Sequence, residues 1–178
     1  MPGVRLDGDW QRLVRTLHNL ELNDLELKGL NTRIGAVLQQ SAIERFEREK
    51  SPDGRPWKPL AMATLIARAR RRTKHKDGSS GFKTKRGKVS KRAQRIIGSA
   101  AILKDTGRLM RSIAYRARLE GVAVGSNLVQ AGIQQLGGKT GRGKKVEIPA
   151  RPYLGVGPAD SQDIQELLTE FIEEKISQ

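Results

Sequence analysis

Charge limits how this chain can fold more than any other feature, because it is concentrated instead of spread. Between Arg68 and Arg95 lie thirteen basic residues (Arg68, Arg70, Arg71, Arg72, Lys74, Lys76, Lys83, Lys85, Arg86, Lys88, Lys91, Arg92 and Arg95) and one acid, Asp77. That window carries +12 of the chain's +15. A second window holds Lys139, Arg142, Lys144, Lys145 and Arg151 against Glu147, or +4. The rest is close to neutral, and residues 160–178 run the other way at −5. A core must therefore come from outside the basic windows. Lys74 to Lys88 is poor in apolar residues and contains Gly78, Ser79, Ser80, Gly81 and Gly87. It is predicted to bury too little surface to offset its ordering entropy, so a mobile basic insertion is expected at about 68–95. The glycines at 137, 138, 141 and 143 predict a second mobile basic loop at about 137–145.

The remaining composition excludes several classes. At 178 residues, one domain over 1–178 is expected. Apolar residues are 37% and aromatic residues 4%, which predicts a thin core but not disorder. There is no cysteine, which removes disulfides, cysteine-ligated zinc and a thiol nucleophile. His18 and His75 are the two histidines and stand far apart, so no histidine metal site is expected, and no cofactor. No apolar run reaches the ~18 residues of a membrane span. Met1 to Asp9 lacks a basic-then-apolar leader, so a soluble protein of a cytoplasm-like compartment is expected.

Periodicity predicts an α+β fold. Trp10, Leu13, Val14, Leu17 and Leu20 mark a first helix, with His18 as a partly buried helix residue. Asp24 is the expected cap of a longer helix whose stripe is Leu27, Leu30, Ile34, Val37, Leu38, Ala42 and Phe46. Ser51-Pro52-Asp53-Gly54 ends it. Short helices are expected from about Met62 to Arg72 and from Ala93 to Leu103. Ile113, Tyr115, Ala117 and Leu119 alternate with polar residues, Glu120-Gly121 turns, and Val122 and Val124 return. These residues predict a small antiparallel sheet with a hairpin near 112–126. Leu128 to Leu136 reads as a short helix and Lys145 to Ile148 as a brief strand. Asp160 or Ser161 is the expected cap of a C-terminal amphipathic helix carrying Ile164, Leu167, Leu168, Phe171 and Ile172. No internal repeat is evident.

Few residues point to chemistry. Gly138 to Lys145 fits GxxxxGK but puts Lys145 where a phosphate loop needs Ser or Thr, and no strand-to-helix context surrounds it. Asp53, Asp105, Glu120 and Glu147 sit beside turns, Gly or Pro and form no acid–base constellation. No catalytic residue is predicted, and the chain is not expected to be an enzyme. The basic segment could meet a phosphate backbone or an acidic protein surface, including the acidic C-terminal helix of a neighbouring subunit. The expected contacts are Arg70, Arg71, Arg72, Lys74, Lys83, Lys85, Arg86, Lys88, Lys91, Arg92, Lys144 and Lys145. Phe82 is its one ring, so any nucleic-acid contact would be independent of sequence. Two proline–aromatic segments, Pro56 to Leu60 and Ile148 to Leu154, are rigid and extended. They either pack over the domain's own core or offer Trp57, Arg151 and Tyr153 to a partner, residue types enriched at interfaces.

A series of motifs in order resembles the phage virion morphogenesis family, which includes tail-completion proteins of contractile-tailed phages and the G protein of Mu-like phages. The carriers are Phe46, then Ser51-Pro52-Asp53-Gly54-Arg55-Pro56-Trp57-Lys58-Pro59-Leu60, and Ile102-Leu103-Lys104-Asp105-Thr106-Gly107-Arg108-Leu109-Met110-Arg111-Ser112-Ile113. Val122 to Ser126, Gln135-Leu136-Gly137-Gly138 and Ile148-Pro149-Ala150-Arg151-Pro152-Tyr153-Leu154-Gly155 follow. Where the family carries Tyr and His before the paired glycines, this chain has Gln130 and Gln134, so no histidine role is implied. The resemblance implies a structural virion protein, assembled in the host cytoplasm, at the neck or head-proximal tail end. It implies a self-associating ring, expected as a hexamer, that meets tail-tube and connector proteins. Trp57, Arg108, Arg151 and Tyr153 are the expected interface residues. Genomic DNA in the lumen is a further expected contact for the basic loops. A free-standing, sequence-nonspecific nucleic-acid-binding protein is the alternative.

Overall fold

Helix α2 (Asp24–Arg48) organises the molecule. At ~1.5 Å per residue it spans about 37 Å, long enough to serve two cores. The computed structural model describes residues 8–177 apart from 21, 142 and 144. Asn23, not the expected Asp24, caps α2. Its side chain accepts from the Leu25 and Glu26 amides at 3.0 Å, while Glu26 accepts from the Asn23 amide at 2.9 Å. This reciprocal capping satisfies orphan donors that a cap one residue later would leave open.

The N-terminal half of α2 packs on α1 (Gly8–Asn19) and the C-terminal helix α7. Leu30, Ile164, Leu168 and Phe171 are buried there, flanked by Leu13, Leu17, Ile34 and Leu38. His18 faces solvent on α1 instead of being partly buried. The C-terminal half carries Ala42 and Phe46 into the main core with Trp57, Ile102, Leu109, Ile113, Ala131 and Tyr153.

After α2 come α3 (Met62–Arg72), α4 (Lys91–Gly98) and the single turn α5 (Arg108–Arg111). Strands β1 (Ile113–Arg118) and β2 (Gly121–Ser126) then form the expected hairpin, with Ile113 opposite Ser126 and Arg118 opposite Gly121. Its inward residues, Ile113, Tyr115 and Ala117, face α2, following the period of two. Two α2 amides grip the ends of β1: Gln39 donates to the Ile113 carbonyl at 2.7 Å and Asn31 to the Arg118 carbonyl at 2.8 Å.

The chain continues through α6 (Ala131–Leu136), β3 (Gly138–Thr140), β4 (Val146–Ile148) and α7 (Pro158–Ile176). β3 and β4 pair antiparallel as a second two-stranded sheet. Residues 138–140 of the expected Gly-rich loop at 137–145 are therefore strand, and β4 begins just after its end. The backbone there finds partners across the hairpin that glycine content alone does not reveal. Helix α7 begins at Pro158, earlier than Asp160 or Ser161, because proline suits the first helical position. Asp160 lies in the first turn, accepts from the Gly157 amide and points inward.

There it meets Arg45 of α2. The pair is an ion pair buried on both sides, with side chains 9% and 3% exposed. Arg45 also donates to the Tyr153 and Gly155 carbonyls at 3.0 and 2.8 Å, and Ser41 donates to the other Asp160 oxygen. Removing one partner would strand the other charge out of water. Asp160→Ala is therefore expected to lower the unfolding free energy by about 3–5 kcal/mol, read as a lower denaturant midpoint at constant m. A second test concerns Gly35, where a methyl group would overlap the Tyr115 ring and come within 2.8 Å of the Val122 Cγ2. Gly35→Ala would gain about 1 kcal/mol of helix propensity and lose about 1–3 kcal/mol to overpacking, so the melting temperature is expected to fall. A rise would show that the hairpin does not sit against α2.

Candidate interaction surfaces

The two proline–aromatic segments lie side by side and are locked to the main core. Phe46 meets Trp57 edge-on at 5.6 Å between ring centroids and Tyr153 at 5.1 Å. Trp57 Nε1 donates to the Pro152 carbonyl at 2.8 Å. Arg151 donates to the Lys58 and Pro59 carbonyls at 2.9 and 3.1 Å, clamping one segment to the other. Gln135 of α6 accepts from the Tyr153 and Leu154 amides and donates to the Leu154 carbonyl, acting as a third strand. Burial pushes the Tyr153 hydroxyl up and, with Arg68 nearby, pulls the Arg151 guanidinium down.

These contacts place three of the expected interface residues within the chain's own packing. Trp57, Arg151 and Tyr153 are 5%, 5% and 0% exposed. Their side chains follow the self-packing reading that the segments also allow. Arg108, at the start of α5, is exposed.

Beside these segments, Ser51 to Arg55 form a tight backbone knuckle. Lys50 bridges to Pro56, the Ser51 amide donates to the Arg55 carbonyl at 2.9 Å, and the Gly54 amide donates to the Ser51 carbonyl at 2.9 Å. Ser51 and then Arg55 hydrogen-bond Asp53 and hold its carboxyl at about 2. An open groove of about 510 Å³ is lined by this knuckle, Trp57 and residues between 150 and 158.

The same knuckle recurs twice in the basic segment. Lys74 bridges to Ser80 and Lys83 to Val89. The His75 and Thr84 amides donate to the Ser79 and Lys88 carbonyls at 2.9 and 2.8 Å. Gly78 and Gly87 donate back to His75 and Thr84 at 3.0 and 2.9 Å. In all three, Lys opens the turn and glycine stands four residues later at φ 78°, 84° and 76°, a left-handed conformation that other residues disfavour. The repeat was legible as Lys-x-x-x-Gly at Lys50, Lys74 and Lys83.

The basic segment also has a core of its own. Phe82, which joins the two knuckles, is 6% exposed and sits with the fully buried Ala69 of α3 and Ala93 of α4. Ile66, Val89, Ile96 and Ile97 complete the cluster. The stretch 74–88 does lack helix and strand, as expected. Its single Phe ring is buried under the two helices that flank it in sequence.

Its cations divide into two sets. Arg68, Arg71 and Arg72 converge on Asp105, with Arg72 3.1 Å from one carboxylate oxygen and Arg68 3.8 Å from the other. Burial, opposed by Asp105, lowers the Arg68 pKa. Arg70 lies over the Phe82 ring at 5.3 Å. Of the sequence-predicted contacts, Arg71 and Arg72 are thus already engaged inside the subunit. Lys74, Lys83, Lys85, Arg86, Lys88, Lys91 and Arg92 are exposed, and none has a carboxylate within 4.0 Å among the described residues. Lys145 is exposed on the β3–β4 turn, away from any helix start, and Lys144 lies outside the described residues.

Exposed apolar side chains gather elsewhere. Val129, Leu136 and Val146, around α6 and the β3–β4 hairpin, are 99%, 79% and 55% exposed. No helix among the described residues is long and apolar enough to cross a membrane.

Comparison with known proteins agrees with the order of the motifs. The chain is 45% identical over 71 residues to the Mu-like prophage FluMu G protein 2 of Haemophilus influenzae. The match covers 40% of this chain and 51% of the relative, so about half the length of that curated protein is spanned. No solved structure matches the chain. The model of the phage virion morphogenesis family matches residues 8–173, and the chain belongs to that family.

Proposed function

We propose that this protein is a structural subunit of the virion. In this reading it forms a ring at the head-proximal end of the tail and helps join the tail to the head. The observation that carries this is the family match over residues 8–173, nearly the whole chain. Family membership makes the protein a phage morphogenesis component; the ring and its place are what the family resemblance implies, and the exposed apolar side chains of the chain support self-association. The main core spends its aromatic side chains on locking two extended segments instead of forming a cleft. Among the large apolar residues left in water are Val129 in the turn before α6, Leu136 at its end and Val146 on β4, with Leu25, Met62 and Ile176 elsewhere. Burying each against a neighbour would contribute about 1.5–3 kcal/mol. A contact between these residues and a different face of the next copy is head-to-tail, and such contacts form a ring where the rotation between copies closes.

The test is the mass of the full-length protein, alone and with tail tubes, by light scattering and negative-stain imaging. Wild-type protein is expected as a closed oligomer, at least when tubes are present. Val129→Asp with Leu136→Asp is expected to leave a monomer with an unchanged melting temperature, since both side chains are exposed. Wild-type protein that stays monomeric with tubes, or is missing from purified virions by mass spectrometry, would sink this reading.

A further inference from the structure

We infer that the α3–α4 unit is a binding surface for the sugar–phosphate backbone of duplex DNA, with the knuckle Lys83 to Val89 as its principal contact. Ten of the thirteen cations between Arg68 and Arg95 lack a carboxylate partner among the described residues. Self-repulsion at that density costs stability, and the fold holds it in place with a buried ring and two helices.

The arrangement is also unfavourable locally. Lys91 and Arg92 occupy the first turn of α4, which contains no acid. Cations there oppose the helix dipole, by about 0.3–1 kcal/mol each. A bound anion would relieve both terms.

Two features choose the anion. The acidic surface this chain itself could offer from a second copy supplies few charges. On α7, Asp160 is buried with Arg45, Glu170 and Glu174 face Arg33, and Lys175 is paired to Glu26. That leaves Asp163, Glu166 and Glu173, three carboxylates against ten cations. A protein partner would also need apolar anchors. Here the large apolar side chains are buried or half-buried, apart from Met62 at the start of α3. A polyanion of regular charge spacing meets neither limit. Single strands are disfavoured because base stacking needs an exposed ring, and Phe82 is inside.

The two knuckles differ in charge at two equivalent positions, Asp77 against Arg86 and Ser79 against Lys88. Lys83 matches Lys74, Lys85 matches Lys76, and Arg86 stands where the first knuckle has Asp77. Asp77 accepts from the Ser79 amide and hydroxyl at 2.8 and 2.7 Å, and these bonds lower its pKa, so it stays charged. The first knuckle therefore carries a built-in opposing charge. The second, with Lys83, Lys85, Arg86 and Lys88, carries none.

The test uses full-length protein and a labelled random-sequence duplex, titrated from about 50 to 200 mM salt. Lys83→Gln, Lys85→Gln, Arg86→Gln and Lys88→Gln combined are expected to weaken binding at least about tenfold and to flatten the log–log salt slope by about 3 to 4. Those four side chains are exposed, so the circular dichroism spectrum should not change. Asp77→Asn keeps the turn acceptor, removes the charge, and is expected to tighten binding about twofold to fivefold. Arg116→Gln with Arg118→Gln, on the outer face of β1, should change neither quantity. Absent duplex binding at low salt, an unchanged slope in the fourfold variant, or an equal loss in the β1 control would overturn the proposal. Tighter binding to single strands or to polyglutamate would also overturn it. Oligomer mass, read separately, is not expected to respond to any of these substitutions.

Discussion

Arg45 and Asp160 form the contact on which the rest of the arrangement depends. Taking both charges out of water costs several kcal/mol per ion. The site offsets this with bonds to the Tyr153 and Gly155 carbonyls on one side and from Ser41 and Gly157 on the other. Arginine suits this position because its planar fork serves the two carbonyls from one nitrogen and the carboxylate from the other, a fixed spread that the compact ammonium of lysine lacks. The result is less a gain in stability than a fixed path for residues 151–157. That path sets Tyr153 against Phe46, and Arg151 against the carbonyls of Lys58 and Pro59. Both proline-rich segments thus inherit their positions from one buried pair across α2 and α7.

The knuckle shows how one backbone solution serves two purposes. Around Gly54 it is built into the body, with Pro52 against Gly157 and Gly155 at the entrance to α7. Around Gly78 and Gly87 it stands out from a small helical unit, and its side chains are free. What differs is the packing of the flanking residues, not the turn. Trp57 follows the first knuckle and enters the main core. Phe82 follows the second and precedes the third, and it anchors both in a satellite core of alanines and isoleucines.

Local pattern made the regular elements legible. The stripe of α2, the alternation of Ile113 to Ala117 and the face of α7 each carry their own period. Boundaries shifted where a neighbouring residue was the better cap, as with Asn23 and Pro158. The satellite core was hidden because Phe82 meets Ala69 and Ala93, small residues separated from it by polar sequence. The destinations of Trp57, Arg151 and Tyr153 were hidden because their partners are backbone carbonyls about ninety or twenty residues away, which no residue type announces. One signal was available: Arg45 sits seven residues after Leu38 and three after Ala42, on the apolar face of α2. A charge on a buried stripe needs a partner, and Asp160 is the acid in the first turn of the helix that covers it.

The separation of charge from apolar surface has a consequence for any assembly of this chain. Identical subunits in a ring bring identical basic units round an axis, each near +12 by sequence. Within a Debye length of about 8 Å at physiological salt they would repel one another strongly. A ring built on the apolar face around α6 must therefore hold these units apart, or hold them round a shared anion. Ion pairs to Asp105 already neutralise part of the charge nearest the body, at Arg68, Arg71 and Arg72. The charge that remains without a carboxylate partner among the described residues lies on the knuckles, on α4 and at Arg70. Such a subunit can join its neighbours through contacts indifferent to salt, while its response to a polyanion stays steeply dependent on it.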